Sequence, residues 1–212
     1  MTHLNKLFFI FICMFLWLAL PIYGQATREH ILLDNHWKFC LGHATDPSKD
    51  LFYRVYNDFS KTLSKGINFS SIDYDDSAWQ TVDLPHDWAV TLPFSEKGDW
   101  SHGYKALGST FPECSIGWYR KTFDLSKSEA GKRIELQFDG IFRDSRCWVN
   151  GIYVGHHLSG YTGIKYDITD LVHFGKPNVI TVRVDATQNE GWFYEGAGIY
   201  RHVWLNTYNS VH

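Results

Sequence analysis

Two carboxylates, Glu190 and Glu195, flank the aromatic triplet Trp192, Phe193 and Tyr194 in the run Glu190 to Arg201. Carboxylates accept short, charge-assisted hydrogen bonds from hydroxyl groups, and aromatic rings offer flat faces to the C–H side of a sugar ring. Gly191, Gly196 and Gly198 lie in the same run, and glycine admits backbone conformations that a side chain forbids. So many glycines and aromatics together are poor core material, and the run reads as a ligand-facing loop. A second candidate is the pair Asp87 and Trp88 in Leu84-Pro-His-Asp-Trp88, expected to fix a loop at a sheet end within reach of a ligand.

Other chemistries find less support. Asn189-Glu190 is a two-residue pattern that recurs by chance, and no second carboxylate is placed to form a catalytic pair with it, so no catalytic residue is assigned. His156-His157 has no partner set for a metal, and the widely spaced Cys40, Cys114 and Cys147 contain no Cys-x-x-Cys element, so neither metal nor cofactor is expected. Those three thiols read as buried apolar groups, with at most one pair able to form a disulfide. A net charge of −3, with both signs interspersed, argues against a nucleic-acid partner. Arg120, Arg143 and Asp144 read as an internal network pinning neighbouring strands.

The elements that must position the loop are strands. In Arg133 to Phe138, Ile134, Leu136 and Phe138 fall on one face and Arg133, Glu135 and Gln137 on the other, the period of a half-buried strand. Asn178 to Asp185 repeats the pattern, with Ile180, Val182 and Val184 inward and Thr181, Arg183 and Asp185 outward. Ile116 to Leu125 and Arg146 to Val154 supply partners, the second folded at Asn150-Gly151, which suits a type I′ turn. Shorter strands are expected at Trp37 to Leu41, Trp79 to Asp83, Gly163 to Tyr166 and Ile199 to Asn206. Asp167 to Gly175 reads as a single capped helical turn, and Asp46 to Asp76 as a long surface excursion. The fold class is all-β, a two-sheet antiparallel sandwich of jelly-roll type.

The N-terminus carries Lys6, an apolar stretch from Leu7 to Leu20 and the small-residue pattern ending at Ala26. That is the layout of a secretory signal peptide; about 14 apolar residues fall short of the roughly 20 that a spanning helix needs. Residues 1–26 are expected to be removed, leaving one domain over 27–212, secreted or periplasmic, with no stable membrane anchor.

Five motifs in order, Leu84-Pro-His-Asp-Trp88, Gly117-Trp-Tyr-Arg120, Phe138-Asp-Gly-Ile-Phe-Arg143 with Trp148-Val-Asn-Gly151, Ser159-Gly-Tyr-Thr162 with Tyr166-Asp-Ile-Thr169, and Gly196-Ala-Gly-Ile-Tyr-Arg201, resemble the N-terminal sugar-binding domain of family 2 glycoside hydrolases. The resemblance spans Trp37 to Leu205 and looks most like the secreted β-galactosidase branch. It implies a retaining enzyme whose two glutamates sit in a (β/α)₈ barrel following an immunoglobulin-like domain, neither of which is in this sequence. On this reading the chain is the first part of such an enzyme, inactive alone. Its partners are a β-galactoside-like carbohydrate and the absent barrel. The resemblance also implies an acidic residue before Gly-Ile-Tyr-Arg that reaches a substrate hydroxyl; both Glu190 and Glu195 are candidates, with Glu195 slightly favoured. Trp192 and Tyr194 would form a stacking surface or a wall against the barrel. The competing reading is a free-standing carbohydrate-binding module without enzymatic activity.

Overall fold

The computed structural model describes residues 28–52, 69–191 and 195–209. Ten strands carry the fold: β1 (Arg28–Leu32), β2 (Trp37–Leu41), β3 (Gln80–Val82), β4 (Ile116–Asp124), β5 (Arg133–Phe138), β6 (Ser145–Val149), β7 (Ile152–His157), β8 (Ile164–Asp167), β9 (Pro177–Asp185) and β10 (Val203–Tyr208). They form a four-stranded sheet in the order β1-β10-β5-β8 and a six-stranded sheet in the order β3-β2-β4-β9-β6-β7, with every pairing antiparallel. The expected all-β sandwich is what forms.

Alternation decides which face each strand buries. Ile134, Leu136 and Phe138 of β5 meet Ile180, Val182 and Val184 of β9 in one core, all fully buried, together with Trp37, Tyr119 and Leu205. At the β6–β7 hairpin, Asn150 and Gly151 adopt φ of 50° and 87°, the left-handed pair that a type I′ turn demands. Asn150 does more than turn the chain: its amide donates to Leu171 O and Asn178 Oδ1 at 2.8 Å and its Oδ1 accepts from Val179 N at 2.9 Å, so the hairpin tip is fastened to β9.

Four features depart from the sequence reading. β1 was not expected, because Arg28 to Leu32 has no alternation and every residue is exposed; it is held by its ladder to β10. Asp167 to Gly175 forms turns instead of a helical turn. Asp167 Oδ1 accepts from both the amide and the hydroxyl of Thr169, at 3.1 and 2.6 Å, and this local bonding competes with a helix too short to nucleate. The outward residues of β9 are not at a surface: Thr181 and Arg183 are 0% and 3% exposed. Their cover comes from the segment read as a surface excursion.

That cover is a second apolar cluster on the outside of the six-stranded sheet, built on Phe69, Ile116, Trp118 and Trp148 with Tyr74, Trp79 and Phe52 packed against it. Trp118 and Trp148 stack at 5.9 Å, and Phe69 sets its ring edgewise to both. Arg120 ties the segment down, donating to Asp76 Oδ2 at 2.8 Å, Ser71 O at 3.0 Å and Phe69 O while lying over the Tyr74 ring. The fully buried Asp50 anchors its other end, accepting from Phe52 N at 3.0 Å and Trp118 Nε1 at 3.3 Å, with Arg183 Nε at 3.7 Å as an ion pair without a hydrogen bond.

The three described cysteines are free, and burial pushes the thiols of Cys40 and Cys114 up to about 12 and about 11, and that of Cys147 upward too. Since the thiolate is the reactive form, these three are expected to resist an aromatic disulfide reagent at pH 8 in the native state and to react on denaturation; rapid native labelling of any of them would contradict the packing. The apolar stretch from Leu7 to Leu20, Cys13 and the cleavage pattern at Ala26 lie outside the described residues. Among the described residues no helix is long and apolar enough to cross a membrane.

Candidate functional site

The Glu190 to Arg201 run leaves β9 and returns into β10, crossing one end of the sandwich. Its trailing half is pinned to two neighbouring segments. Gly198 and Phe142 exchange backbone hydrogen bonds at 2.8 and 2.9 Å, while Ile199 O accepts from His86 N at 2.8 Å and Ala197 O from Trp88 N at 2.9 Å. Asp87 lies between, its Oδ1 accepting from Ala197 N at 2.8 Å and Ala89 N at 2.9 Å. Its carboxylate packs so close to Gly196 that a Cβ there would sit 2.0 Å from Oδ2. Asp87 is thus the clamp between two loops, the fixing role expected of it. Trp88 departs from a ligand-facing position: it is 3% exposed, its indole N–H donates to Cys114 O at 2.8 Å, and its ring packs on Phe39 and Tyr119. It shapes the site from behind.

The leading half is held by carboxylates. Glu190 Oε1 accepts from Gly160 N at 2.6 Å and from Arg143 Nε at 3.2 Å, and Arg143 also donates to Asn189 O at 3.3 Å. Glu195 is 4% exposed and turned inward, its Oε1 accepting from the backbone of Glu190 at 2.8 Å, so that it closes the loop on itself. Its amide donates to Ser101 O at 2.9 Å, and its carbonyl faces His102 Nδ1 at 3.3 Å. Glu195, the favoured hydroxyl-binding candidate, braces the loop through its Oε1. Trp192 and Tyr194 lie outside the described residues.

Arg143 joins Glu190, but Asp144 turns the other way to His156 Nε2 at 2.6 Å and Arg146 at 3.3 Å, and Arg120 pins the 69–76 segment as well as Thr181 of the neighbouring strand β9. Among the described residues no group of three His, Cys, Asp or Glu side chains stands close enough to hold a metal ion. Glu190 and Glu195 both accept from N–H donors, which leaves neither arranged as a proton donor facing a nucleophile across a scissile bond. The decoy Asn189-Glu190 is a brace.

Tyr161 was quoted within a motif but given no role. It is 43% exposed and sets its ring edgewise to Phe142 at 5.7 Å, near enough to the Glu195 carboxylate to feel its charge. Partial burial and the negative charges of Glu195 and Glu190 push its phenol up to about 12. Ultraviolet titration should show one tyrosine ionising near that value, and Glu195→Gln should move it toward the ordinary value near 10 by removing a repelling charge. A Tyr161 titration unmoved by that substitution would contradict the contact. Because this pKa is raised, the neutral phenol's share of stability is intact below pH 10 and is lost as pH rises toward 12. The local sequence could not show the partners of Glu190 and Glu195, since Gly160 and Ser101 are far along the chain.

The described residues thus form an antiparallel two-sheet sandwich with a braced loop at one end, the architecture of a binding domain. The match to known proteins is specific: residues 31–209 fit the model for glycosyl hydrolases family 2, sugar binding domain, and the chain belongs to that family. It is 38% identical over 151 residues to a beta-galactosidase of Bacteroides ovatus, covering 71% of this chain and 17% of that protein. A beta-glucuronidase of Bacteroides fragilis is 28% identical over 203 residues, covering 93% of this chain and 22% of that protein. The solved structure of a glycosyl hydrolase family 2 member from Bacteroides cellulosilyticus superposes with a TM-score of 0.65 at 31% identity, over 85% of this chain and 20% of that one. The chain thus spans about a fifth of the length of the relatives it matches.

Proposed function

We propose that this domain supplies one wall of a carbohydrate pocket in a secreted, β-galactosidase-like retaining hydrolase, with the catalytic carboxylates contributed by a barrel outside these 212 residues. The carrying observation is the double brace at the two ends of the 190–195 loop, the Glu190 carboxylate to Gly160 and Arg143 on one side and the Glu195 backbone amide to Ser101 on the other. Such bracing fixes the two ends of the loop before ligand arrives, which lowers the ordering cost of binding there. The glucuronidase relative keeps a uronic acid open as substrate, while the stronger identity to a galactosidase favours a galactoside. Secretion rests on the Lys6 to Ala26 pattern, and mass spectrometry of the exported protein should find Thr27 as its first residue.

The chain alone is expected to leave nitrophenyl β-galactoside intact. Turnover that survives repurification and disappears in a Glu190→Gln, Glu195→Gln double variant would overturn the reading. A free-standing carbohydrate-binding module is the second reading, favoured by the fact that the brace is complete within this chain. Calorimetry separates the two: galactoside affinity tighter than about 1 mM, near −4 kcal/mol, supports the module, and weaker binding supports a wall that needs its barrel.

A further inference from the structure

An exposed aromatic surface stands on the arm formed by residues 92–106. The arm is closed by backbone hydrogen bonds from Ser95 N to Tyr104 O at 2.8 Å and from Ala106 N to Pro93 O at 2.9 Å. Lys105 crosses beneath it, donating to Leu92 O at 2.8 Å and Val90 O at 3.1 Å, with its ammonium 4.1 Å from the Phe94 ring centroid. Those contacts hold Phe94 outward, yet the ring is 76% exposed, and Tyr104 is 56% exposed. Together with Ser95 and Glu96 these two rings line an open recess of about 480 Å³. Nothing in the core or the loop brace uses these side chains. Large rings held rigidly outward in this way mark a contact surface.

We infer that the Phe94–Tyr104 recess is a second sugar subsite, one that takes a neutral hexose unit of an oligosaccharide. Two aromatic faces offer the C–H side of a pyranose its stacking surface. The exposed Glu96 carboxylate accepts hydrogen bonds from sugar hydroxyls and repels the carboxylate of a uronic acid. The recess is open, a platform more than a cleft, as suits stacking of one exposed sugar unit, and the matched family model is that of a sugar-binding domain. The arm is joined to the loop through Ser101 and His102, which contact the Glu195 backbone. This adds to the proposed function without depending on it, because the arm and the loop present different residues.

The test is titration of the full chain with a galacto-oligosaccharide, methyl β-galactoside and methyl β-glucuronide, comparing wild type with Phe94→Ala, Tyr104→Ala and Glu96→Gln. All three positions are exposed, so thermal midpoints should not move. Phe94→Ala and Tyr104→Ala should each weaken oligosaccharide binding about tenfold, and Glu96→Gln should raise glucuronide affinity relative to galactoside. Oligosaccharide binding unchanged in both aromatic variants overturns the subsite. So does sedimentation showing self-association that Phe94→Ala abolishes while the sugar titrations stay silent. A subsite that responds to the arm variants while Tyr161 and Gly160 show no ligand effect would retain this inference and defeat the proposed role of the loop.

Discussion

Arg120→Ala should lower the free energy of unfolding by about 2 to 4 kcal/mol, because it removes a buried guanidinium that satisfies the Phe69 carbonyl and Thr181 hydroxyl, and frees a whole covering segment. The guanidinium is 2% exposed and reaches Asp76, Ser71, Phe69 and Thr181 from the outer face of β4. Without it, Asp76 loses its ion pair and Phe69 loses the bond that holds its backbone over Trp118 and Trp148. Arg120→Lys should recover only part of the loss, since a single ammonium cannot replace a planar fork that donates in several directions. Urea denaturation checks both variants; a change below about 1 kcal/mol for the alanine variant would mean the segment is held by its apolar contacts alone.

Gly198→Ala is the second large effect, and it strikes the site itself. Gly198 has φ of 131°, and a Cβ there would stand 2.4 Å from the His86 carbonyl oxygen and 2.6 Å from the Tyr119 hydroxyl. Backbone strain of about 1 to 3 kcal/mol adds to overpacking of about 1 to 3 kcal/mol, for a total near 4 kcal/mol. In a chain of this size that is a fall of roughly 8 to 16 °C in the thermal midpoint. The displaced backbone would also break the Gly198–Phe142 bridge and with it the register of the loop. Gly191→Ala is the control: its φ is 86° but nothing lies within 4 Å of the added carbon, so only the strain, about 1 kcal/mol, remains. Equal effects at the two glycines would show that the close approach at Gly198 does not matter.

Much of the sandwich could be read directly, because period-2 alternation in β5 and β9 and the Asn150-Gly151 turn are local signals. What alternation could not reveal was that the outer face of β9 has its own cover. Thr181 looks solvent-facing until Arg120 and the 69–76 segment cover it, and Arg183 until Asp50 and Phe52 do, and those contacts are long-range. β1 was invisible for a related reason, since an exposed edge strand is specified by its ladder and not by its own side chains. The loop was recognisable from its glycines and rings. The roles of its carboxylates were not, because a hydroxyl-binding glutamate and a bracing glutamate have the same local sequence. Only the partners of Glu190 and Glu195 distinguish them, and these come from around Ser101, Arg143 and Gly160. Trp88 shows the converse: an aromatic beside an aspartate looked accessible, yet its indole serves the core.

The central claim is that sugar meets this domain at the braced loop end. Amide chemical shifts followed by NMR while the full chain is titrated with methyl β-galactoside test it most directly, since they report weak binding and its location together. The account predicts saturable shifts at Gly160, Tyr161, Gly191 and Glu195, with β7, β8 and the outer cluster around Trp118 unchanged. Saturable shifts confined to another face of the sandwich, or none at galactoside concentrations of about 100 mM, where even a weak millimolar site is filled, would contradict it.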